Sequence, residues 1–513
     1  MLAAIAPGAA AHPERPTSYP EPGQGTFPEH RTTGTARVVC KPDSRRRIAR
    51  QVKSRKLRAR NLKLLRSCRF AHVQQAVNAA RNGDRVLILP GVYREEPSRA
   101  TPNPDPRCKD MYVLAASGSR ETPTYEYEVN CPNSRQLVAI LGDSLADPDR
   151  RCDSKCDLQV EGTGDDRGDV LIVGDRRKEN VIKADRADGI YLANFTIQYS
   201  DYNNVYVLET DGFRFRDIES RWSEEYGFLS FASDHGIYEH LEAYGAGDSG
   251  VYPGSGPETH GSRYGIKLRY NDIHDNLQGN AGAAGNGLWY HKNKFHHNGI
   301  GIVVDSFSAG HPGMPQDSSK FSQNQIYSNN RDYFTPERDE YCRKPALERD
   351  PKVVCPAIMV PIGTGILIAG GNENVTADNR IWDNWRHGVM QIWVEAAFRG
   401  ENEPEKQTDT SNGNRYLNNH MGADPSGARA PNGTDFFWDE QGAGNCWMGN
   451  VGIGEGGAVS GNPGALPECP GSEVKRPVNP AKHAFLVPCA TWDPYENTDP
   501  PGCDWMTLPP KPE

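Results

Sequence analysis

Residues 271–298 read NDIHDNLQGNAGAAGNGLWYHKNKFHHN, and the same six-residue phrase occurs in them twice. Asn271-x-Ile273-x-x-Asn276 returns 22 residues later as Asn293-x-Phe295-x-x-Asn298. A large apolar residue framed by asparagines at this interval reads as one coil of a solenoid. Such a coil holds about three short strands joined by turns, and alternate side chains of each strand point inward. Successive coils then stack like on like, roughly 4.8 Å apart.

The phrase recurs as Asn324-Ile326-Asn329, Asn379-Ile381-Asn384, Asn414-Tyr416-Asn419 and Asn445-Trp447-Asn450. Upstream, Phe195, Ile218 and Leu241 are expected to take the anchor's place without both asparagines, at steps of 23. The shortest steps set the bare coil; longer ones mean loops inserted into a coil. Corner asparagines tolerate left-handed backbone and bond along the stack, so their expected role is structural. A second series begins successive coils: Val205-Tyr206-Val207-Leu208, Phe228-Leu229-Ser230-Phe231, Val251-Tyr252, Ile302-Val303-Val304 and Val389 to Trp393. Insertions follow it at 253–263, 306–320 and 399–413. Walls on one side of several coils predict a groove for an extended ligand.

Composition agrees. The 513 residues include 52 Gly and 39 Pro, with 36% hydrophobic content, which favours short strands and turns over helical bundles. The twelve cysteines, Cys40, Cys68, Cys108, Cys131, Cys152, Cys156, Cys342, Cys355, Cys446, Cys469, Cys489 and Cys503, show no zinc-ligand spacing. An even count without metal spacing predicts disulfides in an oxidising compartment; pairing of sequence neighbours is the simplest connectivity, which sequence does not prove. No run of eighteen apolar residues suggests a membrane span. Met1 to Ala11 reads like the tail of a secretory signal, with cleavage near His12, so a secreted protein is expected.

Net charge is −9, yet residues 41–69 hold thirteen Lys or Arg and one acid, Asp43. A basic arm on an acidic body suits a polyanion, or a solvated or self-docked helix face. No aromatic residue interleaves with the run, so nucleic acid is not the expected partner.

The entry into the stack is Cys68 to Glu95, CRFAHVQQAVNAARNGDRVLILPGVYRE. Phe70, Val73, Ala76, Val77 and Ala80 recur at helical spacing, Asn82-Gly83-Asp84 stops the helix, and Val86 to Leu89 makes a strand closed by Pro90-Gly91. A helix feeding a strand this way suits a cap over an open β-stack. This opening, with Val170 to Asp175 and Asp188 to Ile197, resembles the pectin-lyase-like right-handed β-helix family over roughly residues 70–450. The resemblance implies an all-β, right-handed parallel β-helix with an N-terminal amphipathic capping helix. It leaves activity open, since lyases, hydrolases, epimerases, esterases and adhesins share the fold. The expected organisation is a signal remnant and flexible leader at 1–35 and a basic arm at 36–69. The β-helix follows at 70–460, then a disulfide-tied cap or tail at 461–513.

The expected groove collects Asp234, His235, Tyr252, His260, Arg263, Asp305, His311, Glu395 and Arg399. Polyuronate β-elimination or epimerisation needs a base at C5 beside a cation that stabilises the carboxylate. His260, Tyr252 or His235 suits the base; Arg263, or Ca²⁺ held by Asp305, suits the cation. Asp234, His311, Glu395 and Arg399 are candidates for holding substrate. Glycoside hydrolysis by two of Asp234, Asp305 and Glu395 also fits, without an adjacent Asp pair to sharpen it. Trp222, Trp289, Trp382, Trp385 and Trp393 either stack on sugar rings or fill the stack itself. The expected partner is an extracellular polysaccharide, an acidic glycan met by a lyase or epimerase. The alternative is a non-catalytic carbohydrate- or surface-binding β-helix. Oligomeric state is not legible.

Overall fold

The structure is a computed structural model that describes residues 14–20, 25–115, 120–147, 151–307, 311–394, 411–472, 474, 479, 481–482, 489 and 503–513. The chain winds through three long parallel sheets in rotation. Ile190–Ala193 lies in sheet 1, Thr196–Gln198 in sheet 2 and Asn203–Leu208 in sheet 3; Asp211–Arg216 then returns to sheet 1 one coil on. The result is a right-handed parallel β-helix, the hand that parallel crossovers adopt. Alternation does the rest: Leu192, Phe215, Tyr238, Leu268, Tyr290 and Phe321 of sheet 1 point into a single dry core.

The expected vertical file exists. Ile273 pairs with Phe295, Phe295 with Ile326, and Ile326 with Ile381, all in sheet 2. Two register expectations are corrected. Thr196 pairs with Glu219 and Glu242 with Asp272, so Ala243, not Leu241, stacks on Ile273. Phe195, Ile218 and Leu241 instead fill the corner that Asn271, Asn293 and Asn324 take below. The last two copies of the phrase lie in sheet 1, where Tyr416 pairs with Thr376 and Trp447. A six-residue pattern cannot report which side of the triangle it sits on.

The asparagines form three ladders, one per corner. Between sheets 1 and 2, side-chain amides run from Asn271 to Asn293, Asn324, Asn379, Asn419 and Asn450 at 2.9–3.0 Å. Between sheets 2 and 3 they run from Asn276 through Asn298, Asn329 and Asn384 to Asn432. Between sheets 3 and 1 they join Asn374, Asn414 and Asn445. The left-handed backbone at the first corner falls on the residue before each asparagine: Tyr270, Lys292, Gln323, Asp378 and Asn418 have φ of +53° to +58°. The asparagine's own work there is to satisfy buried backbone groups.

The basic stretch is not a free arm. Ala36–Val39 pairs with Arg85–Ile88 as the first strand of sheet 1, so the stack begins at residue 36, not 70. Helices α1 (Ser44–Gln51) and α2 (Arg55–Arg66) follow, stapled by Cys40–Cys68. Ile48, Val52, Leu57, Leu62, Leu64 and Leu65 pack with Val38 and Leu89, an apolar stripe hidden among the arginines. With α3 (Val73–Asn78) they close the top of the column. Residues 14–20 and 25–35 are likewise not a loose leader: Arg15 is buried against Asp185 and Glu209, and Glu29 pairs with the buried Arg214. The first 13 residues, where the signal was read, lie outside the described residues.

Six disulfides join the cysteines in sequence order. Cys446–Cys469 ties down the lower cap, where Val459 and Leu466 meet the core. Trp505 and Met506 turn back onto the outer side of sheet 3. Disulfides in this number fit an oxidising compartment, and no helix among the described residues is long and apolar enough to cross a membrane.

Candidate functional site

The corner between sheets 3 and 1 concentrates charge. Asp211 and Asp234 begin consecutive strands of sheet 1 and pair directly. Asp188 lies one coil above; its carboxylate accepts the Asp211 amide at 2.7 Å, and burial pushes it up to about 6. Arg263, from the first insertion, grips both oxygens of Asp234, with Nη1–Oδ1 at 2.8 Å. That hydrogen bonding holds its guanidinium above the usual value.

His235 occupies a telling place. By register its file holds Gly189, Gly212 and Gly265. Gly189 and Gly212 turn at φ +76° and +87°, and His235 makes the same left-handed turn at +47°. A histidine there costs about 1 kcal/mol relative to glycine, and glycine neighbours leave room for its ring. Its Nδ1 lies 2.6 Å from Asp211 Oδ1 and 3.7 Å from Asp234 Oδ2. Nδ1 bonded to a carboxylate leaves Nε2 as the atom that exchanges protons. Among the described residues, Asp211, Asp234 and His235 are the group whose ligand atoms converge within 4.8 Å. Arg263 already supplies positive charge on Asp234.

Beside this corner runs the outer face of sheet 1. Arg214, Ile237, Lys267, Trp289, Lys320, Val375 and Arg415 lie in one vertical file. Arg216, Glu239, Arg269 and His291 form the next. Glu239 is met by Arg214, Arg216 and Arg269 together, while Asp217 takes Arg216 and Glu29 takes Arg214. Burial and the nearby Arg269 hold Lys267 below the usual lysine range. Burial, Lys292, Lys320 and Arg269 do the same to His291. Trp289 packs against Tyr264 and His291 and donates Nε1 to Ser322. In a chain of net charge −9 this is a cationic, aromatic surface.

The sequence-predicted residues do not share one cleft. Asp234, His235 and Arg263 come together. Tyr252 points to the outer side of sheet 3, among Tyr206, Leu208, Tyr226, Leu229 and Phe231. Asp305 ends the strand two coils below; burial raises it to about 6, and it accepts the Phe307 amide at 3.0 Å. His311 packs edge-on to Phe231 on that same side. The reason is the corner: Tyr252 and Asp305 precede it, Asp234 and His235 follow it, and the two sheets face different ways. His260 stands 88% exposed beside Glu258, away from both groups. Glu395 and Arg399 lie outside the described residues. Asp211, Arg214, Lys267, Lys320 and Arg415 were missed. Their signal was available, since cations fall at equivalent positions of every second coil and a histidine interrupts a file of glycines.

The stacking of Tyr244, His274, His296, Tyr327 and Trp382 on the outer face of sheet 2 is a different matter. Neighbouring rings lie 4.3–5.2 Å apart and within 13° of parallel. Each spends its faces on its neighbours, so the ladder presents edges, not a stacking platform for sugars.

No family model matches the chain, and no curated protein does. Among solved structures, it is similar to the A-module of a mannuronan C-5 epimerase of Azotobacter vinelandii, 12% identical with a TM-score of 0.42, covering 74% of this chain and 83% of that one. The pectate lyase Pel9A is 11% identical, TM-score 0.31, covering 75% and 70%. The catalytic unit of a GH87 α-1,3-glucanase of Streptomyces thermodiastaticus is 10% identical, TM-score 0.37, covering 83% and 70%. Likenesses this distant concern the path of the chain alone.

Proposed function

We propose that this is a secreted β-helix protein that takes an acidic polysaccharide along the outer face of sheet 1, with proton-abstraction chemistry of the lyase or epimerase kind at the upper end. One observation carries the reading: a file of cations and aromatic rings, in an acidic chain, runs to a histidine oriented by a carboxylate. A polyuronate laid along the face meets Lys320, Trp289 and Lys267 on consecutive coils, with Arg415 two coils below Lys320. At the His235 end, Asp211 fixes the imidazole and Nε2 takes the C5 proton. Lys267 and Arg263 stabilise the charge that builds on the carboxylate. Tyr252 and Asp305 face elsewhere and take no part in this scheme, and the converging carboxylates at the corner are already served by Arg263.

The test is incubation with a panel of polyuronates, following new ultraviolet absorbance from unsaturated chain ends and sugar inversion by proton NMR. Product that vanishes in His235→Gln while the fold persists supports the reading. Absence of product from every polymer, with the groove exposed as described below, would sink it. Binding without turnover is the second reading. It is favoured by the burial of His235 beneath the N-terminal segment.

A further inference from the structure

Residues 25–31 lie across the upper part of the sheet 1 face. Gly25 passes Asp211 so closely that a Cβ there would fall 1.9 Å from its Oδ1. Phe27 meets the His235 ring edge-on at 5.4 Å, and Lys267 Nζ stands 4.1 Å from its centroid. The phenyl ring therefore fills the space between the imidazole and the ammonium. Two residues on, Glu29 receives Arg214 through both terminal nitrogens, at 3.0 and 3.1 Å. His30 and Arg31 continue the line onto Glu161 and Gln159.

The Glu29–Arg214 pair is asymmetric. Arg214 is 5% exposed and Glu29 is 77% exposed. A pair built for stability shields both charges; here the arginine is set into the wall and the carboxylate arrives from solvent. Arg214 also has reason to want an anion. It shares Glu239 with Arg216 and Arg269, and its Nε is buried without a partner. Three guanidinium groups around Glu239, with Asp217 on Arg216 alone, leave an excess of one positive charge that an arriving carboxylate neutralises.

We infer that Arg214 is a subsite for a sugar carboxylate, and that residues 25–31 are an internal ligand holding it closed: Glu29 stands in for a uronate carboxylate and Phe27 for the neighbouring ring. An oligouronate and this strap compete for the same ground. The inference deepens the proposed function and rests on it for the class of ligand.

The experiment uses the full chain, with oligogalacturonate as the probe and a neutral maltooligosaccharide as the control. His235 accessibility is read by diethyl pyrocarbonate labelling and peptide mass spectrometry. Release of residues 25–35 is read by hydrogen exchange. Glu29→Gln and Phe27→Ala should each raise His235 labelling and tighten oligogalacturonate binding, by about tenfold for Glu29→Gln, the loss of a charge-assisted bond converted to affinity. Arg214→Met should abolish the gain in binding but not the gain in labelling when combined with Phe27→Ala. Oligogalacturonate added to the unaltered protein should speed exchange at 25–35; maltooligosaccharide should not.

Binding or turnover of the uronate with 25–35 still protected, and unchanged by Glu29→Gln, overturns the strap while leaving the proposed function standing. Arg214-dependent binding without turnover, even in Phe27→Ala, upholds the subsite and removes the catalytic reading. No binding by any opened variant overturns both. Glu29→Gln is the conservative member of the set, and an unchanged circular dichroism spectrum shows that it folds.

Discussion

Replacing Asn324 by alanine should destabilise the protein by about 5–7 kcal/mol, counted as four side-chain hydrogen bonds at about 1 kcal/mol each plus about 1–3 kcal/mol for an orphaned donor. Asn324 Nδ2 donates to Tyr290 O at 3.1 Å and to Asn379 Oδ1 at 2.9 Å. Its Oδ1 accepts from Asn293 N at 2.9 Å and from Asn293 Nδ2 at 3.0 Å. After truncation, Asn293 Nδ2 keeps Leu268 O, and Asn379 Oδ1 keeps the Asn324 amide. The buried Asn293 N–H loses its partner. Leucine is what the upper coils carry at this corner, at Leu241, so Asn324→Leu fits by shape. It recovers about 1.5–2 kcal/mol through burial, yet still strands that amide. A solenoid unravels in parts, so the assay is urea denaturation combined with hydrogen exchange of Lys320–Ser322 and Gln325–Tyr327. A shift below about 1 kcal/mol in Asn324→Ala, with protection intact in both strands, would refute the claim that the ladder carries the corner.

Three other outcomes follow from the structure. Burial alone would lower His274, but hydrogen bonds to Asp275 and Glu242 outweigh it and raise it to about 9. Its charged form therefore stabilises the fold fully below about 6.5, and this is lost as pH rises through about 9. The stability difference between the unaltered protein and His274→Phe should shrink across that window. Burial pushes Asp248 up to about 7, with Gln278 donating to it at 2.7 Å. Its raised value makes ionisation destabilising as pH rises through 7, so Asp248→Asn should gain stability there and little below pH 4. Arg263→Met frees the first insertion and leaves the buried Asp234 carboxylate uncompensated, so exchange in 255–263 should speed up and stability should fall by about 3 kcal/mol.

The architecture was legible because one physical rule repeats: an inward apolar residue and a corner asparagine once per coil. Ile273, Phe295, Ile326 and Ile381 announced themselves at fixed framing. The exact file above Ile273 did not, since Phe195, Ile218 and Leu241 are as apolar as the anchors and differ only in standing at a corner. The basic stretch was misread for a related reason. Thirteen cations dominate residues 41–69, while the five leucines and isoleucines that seat α1 and α2 are visible only once a surface exists to receive them.

The candidate site shows the same division. Sequence by itself determined that His235, Asp234 and Arg263 are polar residues at the edges of coils and that the twelve cysteines pair among themselves. Which residues face one another was decided by the tertiary structure alone. Whether a side chain looks along sheet 1 or sheet 3 depends on which side of a left-handed corner it falls, a displacement of two or three residues. That is why Tyr252 and Asp305 part company with His235, and why Arg214, Lys267 and Trp289 line up beside it. The strap is the extreme case: Phe27 and Glu29 lie some two hundred positions from the residues they cover, and only folding brings them there.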